Sequence, residues 1–488
     1  MTFKPSLYQQ NVYNFINNSK GSAVVQAVAG SGKTTTIINA LNHIPSSKNV
    51  LLLAFNKSIA EELKTKVPEN VRVVTYHSCA FSAYRYQQKS VKVDNGKLTR
   101  IIKDMLPEDK YQYFGLIKRL VSLAKAHAVG YLTEGTRSDW IDLIDKFDLI
   151  SSRVDSDFDI NELIHYSVLT YKENNLIKKV IDFDDMILFP LIHNSSFFKQ
   201  DYVFVDEAQD TSSVQRALLK RMLKRNGRII AVGDSAQAIY GFRGADSDSM
   251  SKIISDFNAK ELPLSICYRC SKEVIKEAQK WHPKILPFDK SPEGSVTHMV
   301  SYEPRDFKST DAIICRNTAP LISMAFSLIA RDIPVNILGR DIGKGLVSYI
   351  NSLQCDTITS LSREVEKDYQ KALKKFESDE NSSKVESLSD RKEVINIFIR
   401  NSIDDQVDTL CSFIENFFGV EKNRHLTLCT AHKSKGLEWD RVFILNSECF
   451  MPKWVKQDWA IQQEKNIVYV AITRAKKDLV YIKEKCWK

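Results

Sequence analysis

Apolar and polar positions along this chain follow two rhythms, and the change from one to the other marks out its parts. Residues 5–18, PSLYQQNVYNFINN, repeat apolar positions at helical spacing, with Leu7, Val12, Phe15 and Ile16 predicted as the buried face. Val24 and Val25 end a short apolar run, a turn of small residues follows, and Ile37, Ile38 and Leu41 recur at helical spacing after Lys33. Residues 49–55 (NVLLLAF) read as a buried strand, then a helix runs to about residue 67, and 71–75 is a further strand. Short apolar runs separated by amphipathic helices predict an α/β fold built on a parallel sheet.

From 81 to 180 the strand rhythm lapses. That stretch is helical and rich in Lys, Tyr and Leu, while strand-like runs resume at 202–205 (YVFV) and 228–232 (RIIAV). The block is therefore expected as an insertion within the first α/β domain. A second α/β unit is predicted from about 262, with strands at 312–315, 335–338, 426–430, 441–445 and 479–482. A helical, charged block at 344–423 interrupts it, and the part at 362–392 reads as solvated helices or linker. The expected division is 1–80, 81–180 and 181–261 for the first domain with its insertion. For the second it is 262–343, 344–423 and 424–488.

Composition changes this picture little. The 488 residues are 43% hydrophobic and 26% charged, as in globular proteins. Lys and Arg number 69 against 60 acidic residues, and the net +9 is compatible with a polyanionic partner without requiring one. Nine cysteines are scattered, and only Cys267 and Cys270 stand close, with no second pair to complete a zinc set. They are expected as reduced thiols. No leader pattern and no apolar run of ~18 residues is seen. The expectation is a soluble protein without a membrane partner, cytoplasmic (at a nucleoid or viral replication site) or nuclear in a eukaryote.

The candidate chemistry begins at 24–36, VVQAVAGSGKTTT. A strand, a small-residue turn and a helix start place the backbone of Ala29, Gly30, Ser31, Gly32, Lys33, Thr34 and Thr35 around a phosphate. Lys33 is expected to reach the β- and γ-phosphates of ATP, and the Thr34 hydroxyl to hold Mg²⁺. The spacing is that of the phosphate-binding loop, with Ala27 in place of its first glycine; Ala fits if its φ stays negative. Gln9 carries an amide able to pair with an adenine edge. In 203–210, VFVDEAQD, a strand delivers Asp206 and Glu207 to the sheet's carboxyl edge, Asp206 for Mg²⁺ and Glu207 to deprotonate an attacking water. In 229–245, IIAVGDSAQAIYGFRGA, Gln237 is placed to sense a γ-phosphate, and Tyr240, Phe242 and Arg243 to stack bases and hold a nucleic-acid phosphate.

Together these stretches resemble the superfamily 1 helicases of the UvrD/Rep/PcrA class, with VDEAQD similar to the Walker B element and GDSAQAIYGFRGA to the third motif. The resemblance implies two RecA-like domains, each with a helical insertion (1A/1B/2A/2B), ATP between them, and 3′→5′ movement on single-stranded DNA and ss/ds junctions. LSICYRCS (264–271) is similar to the fourth motif, which implies Tyr268 on the adenine and Arg269 at the γ-phosphate; Cys267 stands where that family usually has Asn. TLCTAHKSKGLEW (427–439) is similar to the fifth, implying DNA-backbone contacts from Thr430, His432 and Lys435 and a nucleotide contact from Glu438. QEKNIVYVAITRA (463–475) is similar to the sixth, implying a second arginine finger at Arg474. Phe55 in AFNKSIA and Thr75 and His77 in TYHS resemble the DNA-contacting motifs Ia and Ib. Arg316 in CRNTAP and Asp182, Asp184 and Asp185 in IDFDDMI echo the family, although helix capping explains the aspartates equally well.

The second insertion is shorter than the UvrD-like group usually carries, and the FNKSIA and TYHS wording looks closer to viral members and the F-box DNA helicases, although no F-box is expected before the motor. Only 14 residues follow Arg474, so no appended nuclease is expected. The expected function is an ATP-dependent DNA helicase acting in repair, replication or recombination, with the second insertion offering a place for a protein loading partner. Three alternatives stay open: a translocase that strips proteins from DNA, an RNA-directed helicase, and a non-enzymatic nucleic-acid binding module.

Overall fold

A computed structural model describes residues 4–147, 149–150, 158–241, 244, 246, 248–376, 383–419, 425–452, 455 and 457–486. The chain forms two compact units, residues 1–265 and 266–488.

Among the described residues, the main sheet of the first unit has six parallel strands in the order Val71–Thr75, Val50–Ala54, Gln200–Val205, Leu223–Gly233, Ala23–Ala27 and Lys260–Leu264. Side chains alternate between its faces. Leu51, Leu53, Val203 and Val205 face the helical block, while Val50, Leu52 and Phe204 pack with Ile37, Leu41, Val12 and Ile16. Both faces are covered, which is why these strands read as unbroken apolar runs. The helical block comprises Tyr76–Gln87, Lys97–Met105, Phe114–Ala126, Arg137–Lys146 and Ile160–Leu176. Its Leu120, Trp140 and Leu163 share one apolar cluster with the sheet, so the block has no separate core.

Two expectations change here. Leu7 is 74% exposed, and Gln9 and Tyr13 join Val12 and Ile16 on the buried face of Leu7–Asn18. The strand Lys260–Leu264 pairs with Ala23–Ala27, Leu262 opposite Val25, so the first unit runs through Ser265 instead of ending at 261. Pro263 fits because this strand lies at the sheet's edge.

Among the described residues, the main sheet of the second unit also has six parallel strands, in the order Ser295–His298, Ala475–Ile482, Trp439–Leu445, Ala312–Cys315, Leu426–Thr430 and Val335–Leu338. The edge strand Ser295–His298, SVTH, was not expected, for it carries no apolar run. The charged block forms the helices Arg340–Ser352, Ile358–Phe376, Ser383–Arg400 and Val407–Gly419. Leu346, Ile350, Leu361, Val394, Phe398, Leu410 and Ile414 bury into the same cluster as Ile313, Leu428 and Phe443 of the sheet. Residues 377–382 and 420–424 of that block lie outside the described residues. Two parallel sheets of this kind are the pair of RecA-like domains expected. Among the described residues, no helix is long and apolar enough to cross a membrane.

Candidate functional site

In the first unit, strand Ala23–Ala27 ends at the carboxyl edge and Ala27 keeps a negative φ. The turn after it uses Gly30 (φ 63°) and Gly32 (φ 78°) in the left-handed region, where glycine carries no steric cost. Helix Lys33–Leu41 starts at once, and no side chain caps its N-terminus, so its first N–H groups face outward with exposed Thr34 and Thr35. Ser31 lies inside the turn, its buried Oγ without a hydrogen-bond partner among the described residues. Such an orphaned hydroxyl, two left-handed glycines and an uncapped helix start make a cradle that fits a phosphate group.

Gln9 is 3% exposed, and its amide is already engaged. Its Oε1 accepts the Ser6 N–H (3.0 Å), closing a capping box, and its Nε2 donates to Thr36 Oγ1 (3.2 Å). In this structure Gln9 therefore pins the first helix to the phosphate-turn helix.

Lys33 Nζ lies 3.1 Å from both carboxylate oxygens of Glu207. Glu207 itself sits at φ 50°, a strained setting for a non-glycine residue that costs about 1–3 kcal/mol and tends to occur at working sites. Its N–H donates to Asp206 Oδ1 (3.0 Å). Burial, and then the charge of Glu207, push the Asp206 carboxyl up to about 7, with Lys33 opposing. Burial presses the Lys33 ammonium down, but Glu207, Asp234 and Asp206 outweigh it and hold its pKa above the usual lysine value. One lysine stands among three carboxylates here, and among the described residues no three His, Cys, Asp or Glu side chains are placed to hold a metal ion by themselves, so a divalent cation at this site would need further oxygens such as those of a phosphate.

The third segment joins the same cluster. Gln237 Nε2 donates to Asp234 Oδ2 (2.7 Å), and Gln209 bridges Glu207 and the Asp234 N–H. Gln209 and Asp234 were missing from the sequence-based set, although both stand inside the motifs that pointed here. Nearby, Phe55 is 42% exposed and stacks on Tyr240, centroids 5.7 Å apart and planes at 14°. His77 meets Phe183 edge-on and its pKa is lowered by burial; Thr75 Oγ1 caps the next helix by accepting the Ser78 N–H (3.2 Å). Phe55, His77, Tyr240, Asp206 and Glu207 line one cavity of about 240 Å³. The structure thus gathers the candidate hydrolytic carboxylates and the base-stacking candidates on one space. Phe242 and Arg243 lie outside the described residues.

In the second unit, Arg269 Nε is 2.6 Å from Glu438 Oε2, and Nη1 donates to Thr473 O (3.4 Å). Tyr268 is partly exposed and leans on Phe288, centroids 5.0 Å apart. Arg474, expected as the second finger, is held among backbone and hydroxyl acceptors. It is 1% exposed, and its guanidinium donates to Val470 O (2.9 Å), Leu437 O (3.1 Å) and Thr473 Oγ1 (3.2 Å). Arg269, Glu438 and Arg474 nevertheless meet around Thr473 and Leu437. Thr430 caps the short helix Ala431–Ser434 by accepting the Lys433 N–H (3.4 Å), and His432 and Lys435 lie on and just after that turn. Cys267 and Cys270 are buried free thiols, the latter against Thr473 O (3.7 Å). Arg316 makes a bidentate pair with buried Glu464 (2.8 and 2.7 Å), which gives it a structural partner.

The sequence model for the UvrD/REP helicase N-terminal domain matches residues 8–258, and that for the UvrD-like helicase C-terminal domain matches 349–485. The chain is 28% identical to F-box DNA helicase protein 1 of Schizosaccharomyces pombe, over 93% of this chain and 55% of that protein. It is 25% identical to a probable DNA helicase II homolog of Mycoplasma genitalium, over 56% of this chain and 42% of the relative. To the ATP-dependent DNA helicase Rep of Buchnera aphidicola it is 24% identical, over 96% of this chain and 93% of the relative. The chain thus spans about half the length of the first two relatives.

Proposed function

The chain belongs to the UvrD/REP helicase family, and on that premise we propose that it is an ATP-driven motor that moves 3′→5′ on single-stranded DNA and separates strands at ss/ds junctions. One observation carries this reading: Lys33 meets Glu207 at 3.1 Å over a glycine turn, in the same unit where Asp206, Glu207, Phe55 and Tyr240 line one cavity. A hydrolytic centre that shares a wall with an aromatic pair is what coupling hydrolysis to movement requires.

In this mechanism the N–H groups of residues 29–35 and Lys33 bind the phosphates, and Ser31 supplies a further hydroxyl. Mg²⁺, held by Thr34 and Asp206, would offset phosphate charge and polarise the γ-phosphate. Lys33 turns from Glu207 to the nucleotide, which frees the Glu207 carboxylate to orient a water and accept its proton. Gln237 fixes the γ-phosphate, Tyr268 packs on the adenine, and Glu438 contacts the sugar or phosphates. Arg269 and Arg474 answer transition-state charge. Of the two, Arg269 exchanges partners more readily, its side chain being 21% exposed. Phe55, Tyr240, Phe242 and Arg243 hold bases and adjacent backbone, and Thr75, His77, Thr430, His432 and Lys435 grip phosphates.

A second reading, a translocase that strips proteins with little unwinding, is favoured by the second helical block packing into the core of its own sheet. Duplexes with 3′ or 5′ single-stranded tails test both, with Lys33→Ala as control. We expect ATP-dependent strand separation from the 3′ tail, lost in Lys33→Ala. Equal activity on 5′ tails overturns the polarity. Displacement of a bound protein without strand separation selects the second reading, and stronger stimulation by RNA than by DNA redirects the substrate.

A further inference from the structure

We propose that Gln209 is the positioning residue that ties the water-activating carboxylate to the segment bearing Gln237 and the base-stacking Tyr240, so that DNA occupancy reaches Glu207 through one amide. This rests on the motor reading above. The Gln209 side chain is almost fully buried. Its Nε2 donates to Glu207 Oε2 (2.5 Å) and approaches Asp210 Oδ2 (3.3 Å), while its Oε1 accepts the Asp234 N–H (3.0 Å). Asp234, fully buried, accepts in turn from Gln237 Nε2 (2.7 Å) and the Ala236 N–H (3.0 Å). Three residues beyond Gln237 the chain reaches Tyr240, which stacks on Phe55. A hydrogen-bonded line therefore runs from Glu207 to Gln237, and the backbone continues it three residues to the aromatic pair.

Only a side-chain amide suits the central place, because one end must donate to a carboxylate and the other accept from a backbone N–H. The partner segment is shaped for it. A Cβ on Gly233 would lie 2.5 Å from Gln209 Oε1 and 3.0 Å from Gln209 N. Gly233 has no left-handed φ, so glycine stands there for room, which the amide shares with Met250 Sδ at 2.9 Å from the same Cβ position. A base that displaces the Phe55–Tyr240 stack pulls on residues 234–240, and the Asp234 N–H carries that shift through Gln209 to the oxygen that faces the water.

The test is steady-state ATP hydrolysis by the full chain, with and without oligo-dT, in wild type, Gln209→Ala, Gln209→Glu and Gly233→Ala, alongside thermal melting. We expect the DNA-stimulated kcat to fall about 10–100-fold in all three variants, as when other supporting hydrogen bonds around a reactive group are removed. KM for ATP and the oligo-dT concentration for half-maximal stimulation should hold. Gln209→Glu keeps the size but replaces the donor with a carboxylate oxygen facing Glu207 and Asp210, whereas Gln209→Ala removes the donor without adding charge, so a fall in both separates positioning from charge repulsion. An active wild type with Gln209→Glu and Gly233→Ala equally stimulated overturns the proposal alone. A wild type without DNA-stimulated hydrolysis overturns the motor reading and the proposal with it.

Discussion

Replacing Lys125 with Met removes the centre of a buried charge cluster. Lys125 Nζ contacts Asp182 (2.6 Å), Asp185 (2.8 Å) and Asn174 Oδ1 (3.1 Å), and Lys97 Nζ holds Asp185 (2.7 Å) and the Asn174 carbonyl (2.8 Å). The cluster fastens three helices of the first helical block to helix Phe183–Ile192, which leads into the strand Gln200–Val205, just before Asp206. Two ammoniums balance two carboxylates there. Without Lys125 one negative charge is left uncompensated, and breaking a buried pair in this way costs about 3–5 kcal/mol. Met preserves the aliphatic length, so little cavity is added. At roughly 2–4 °C per kcal/mol for a unit of this size, the first unit should melt about 6–20 °C lower in calorimetry. Adding Asp182→Asn restores the charge balance and should return part of the loss, with a coupling of about 1–3 kcal/mol. The effect has a pH signature. Burial pushes the Asp185 carboxyl up, but Lys125 and Lys97 outweigh it and hold it below the usual carboxylate range. Its share of stability is therefore complete above the unfolded pKa of about 3.9 and is lost as pH falls through the lower folded value. In Lys125→Met the acid loss should begin at higher pH. A melting shift under about 2 °C would refute the reasoning.

Glu207→Gln should bind nucleotide and lower ATP turnover by about 10²–10⁴, read by steady-state and pre-steady-state hydrolysis. Phe55→Ala and Tyr240→Ala should each weaken oligo-dT binding by about 1–3 kcal/mol in fluorescence anisotropy, with the Lys33-dependent basal hydrolysis retained. Arg269→Ala should reduce kcat by about 10³-fold or more while nucleotide still binds, measured by hydrolysis and by a fluorescent nucleotide analogue.

Much of the frame was legible because it rests on local signals. Strands such as Val50–Ala54 and Ala312–Cys315 are covered on their faces and so spell themselves as apolar runs, and the phosphate turn carries its own glycines. What escaped was set by distant partners. Lys125 and Lys97 look like solvated charges until Asp182 and Asp185, 57 and 88 residues away, come into contact. The same aspartates read as helix caps, and Asp182 does cap Phe183–Ile192, but capping was half of their work. Gln9 was legible as an amide near the phosphate turn, whereas its bonds to Ser6 and Thr36 needed the packed helices. Gln209 stood in the VDEAQD stretch without a role until the Asp234 N–H was placed against it. The edge strands Lys260–Leu264 and Ser295–His298 were missed because edges tolerate proline and polar residues that central strands exclude.

The central claim, that the Lys33–Glu207 centre hydrolyses ATP in answer to single-stranded DNA, is tested most directly by ATP turnover in wild type and Lys33→Ala with Mg²⁺, with and without oligo-dT. The account predicts turnover that rises with oligo-dT in the wild type and disappears in a folded Lys33→Ala chain under both conditions. Turnover that survives the substitution, or that ignores single-stranded DNA in the wild type, would contradict it.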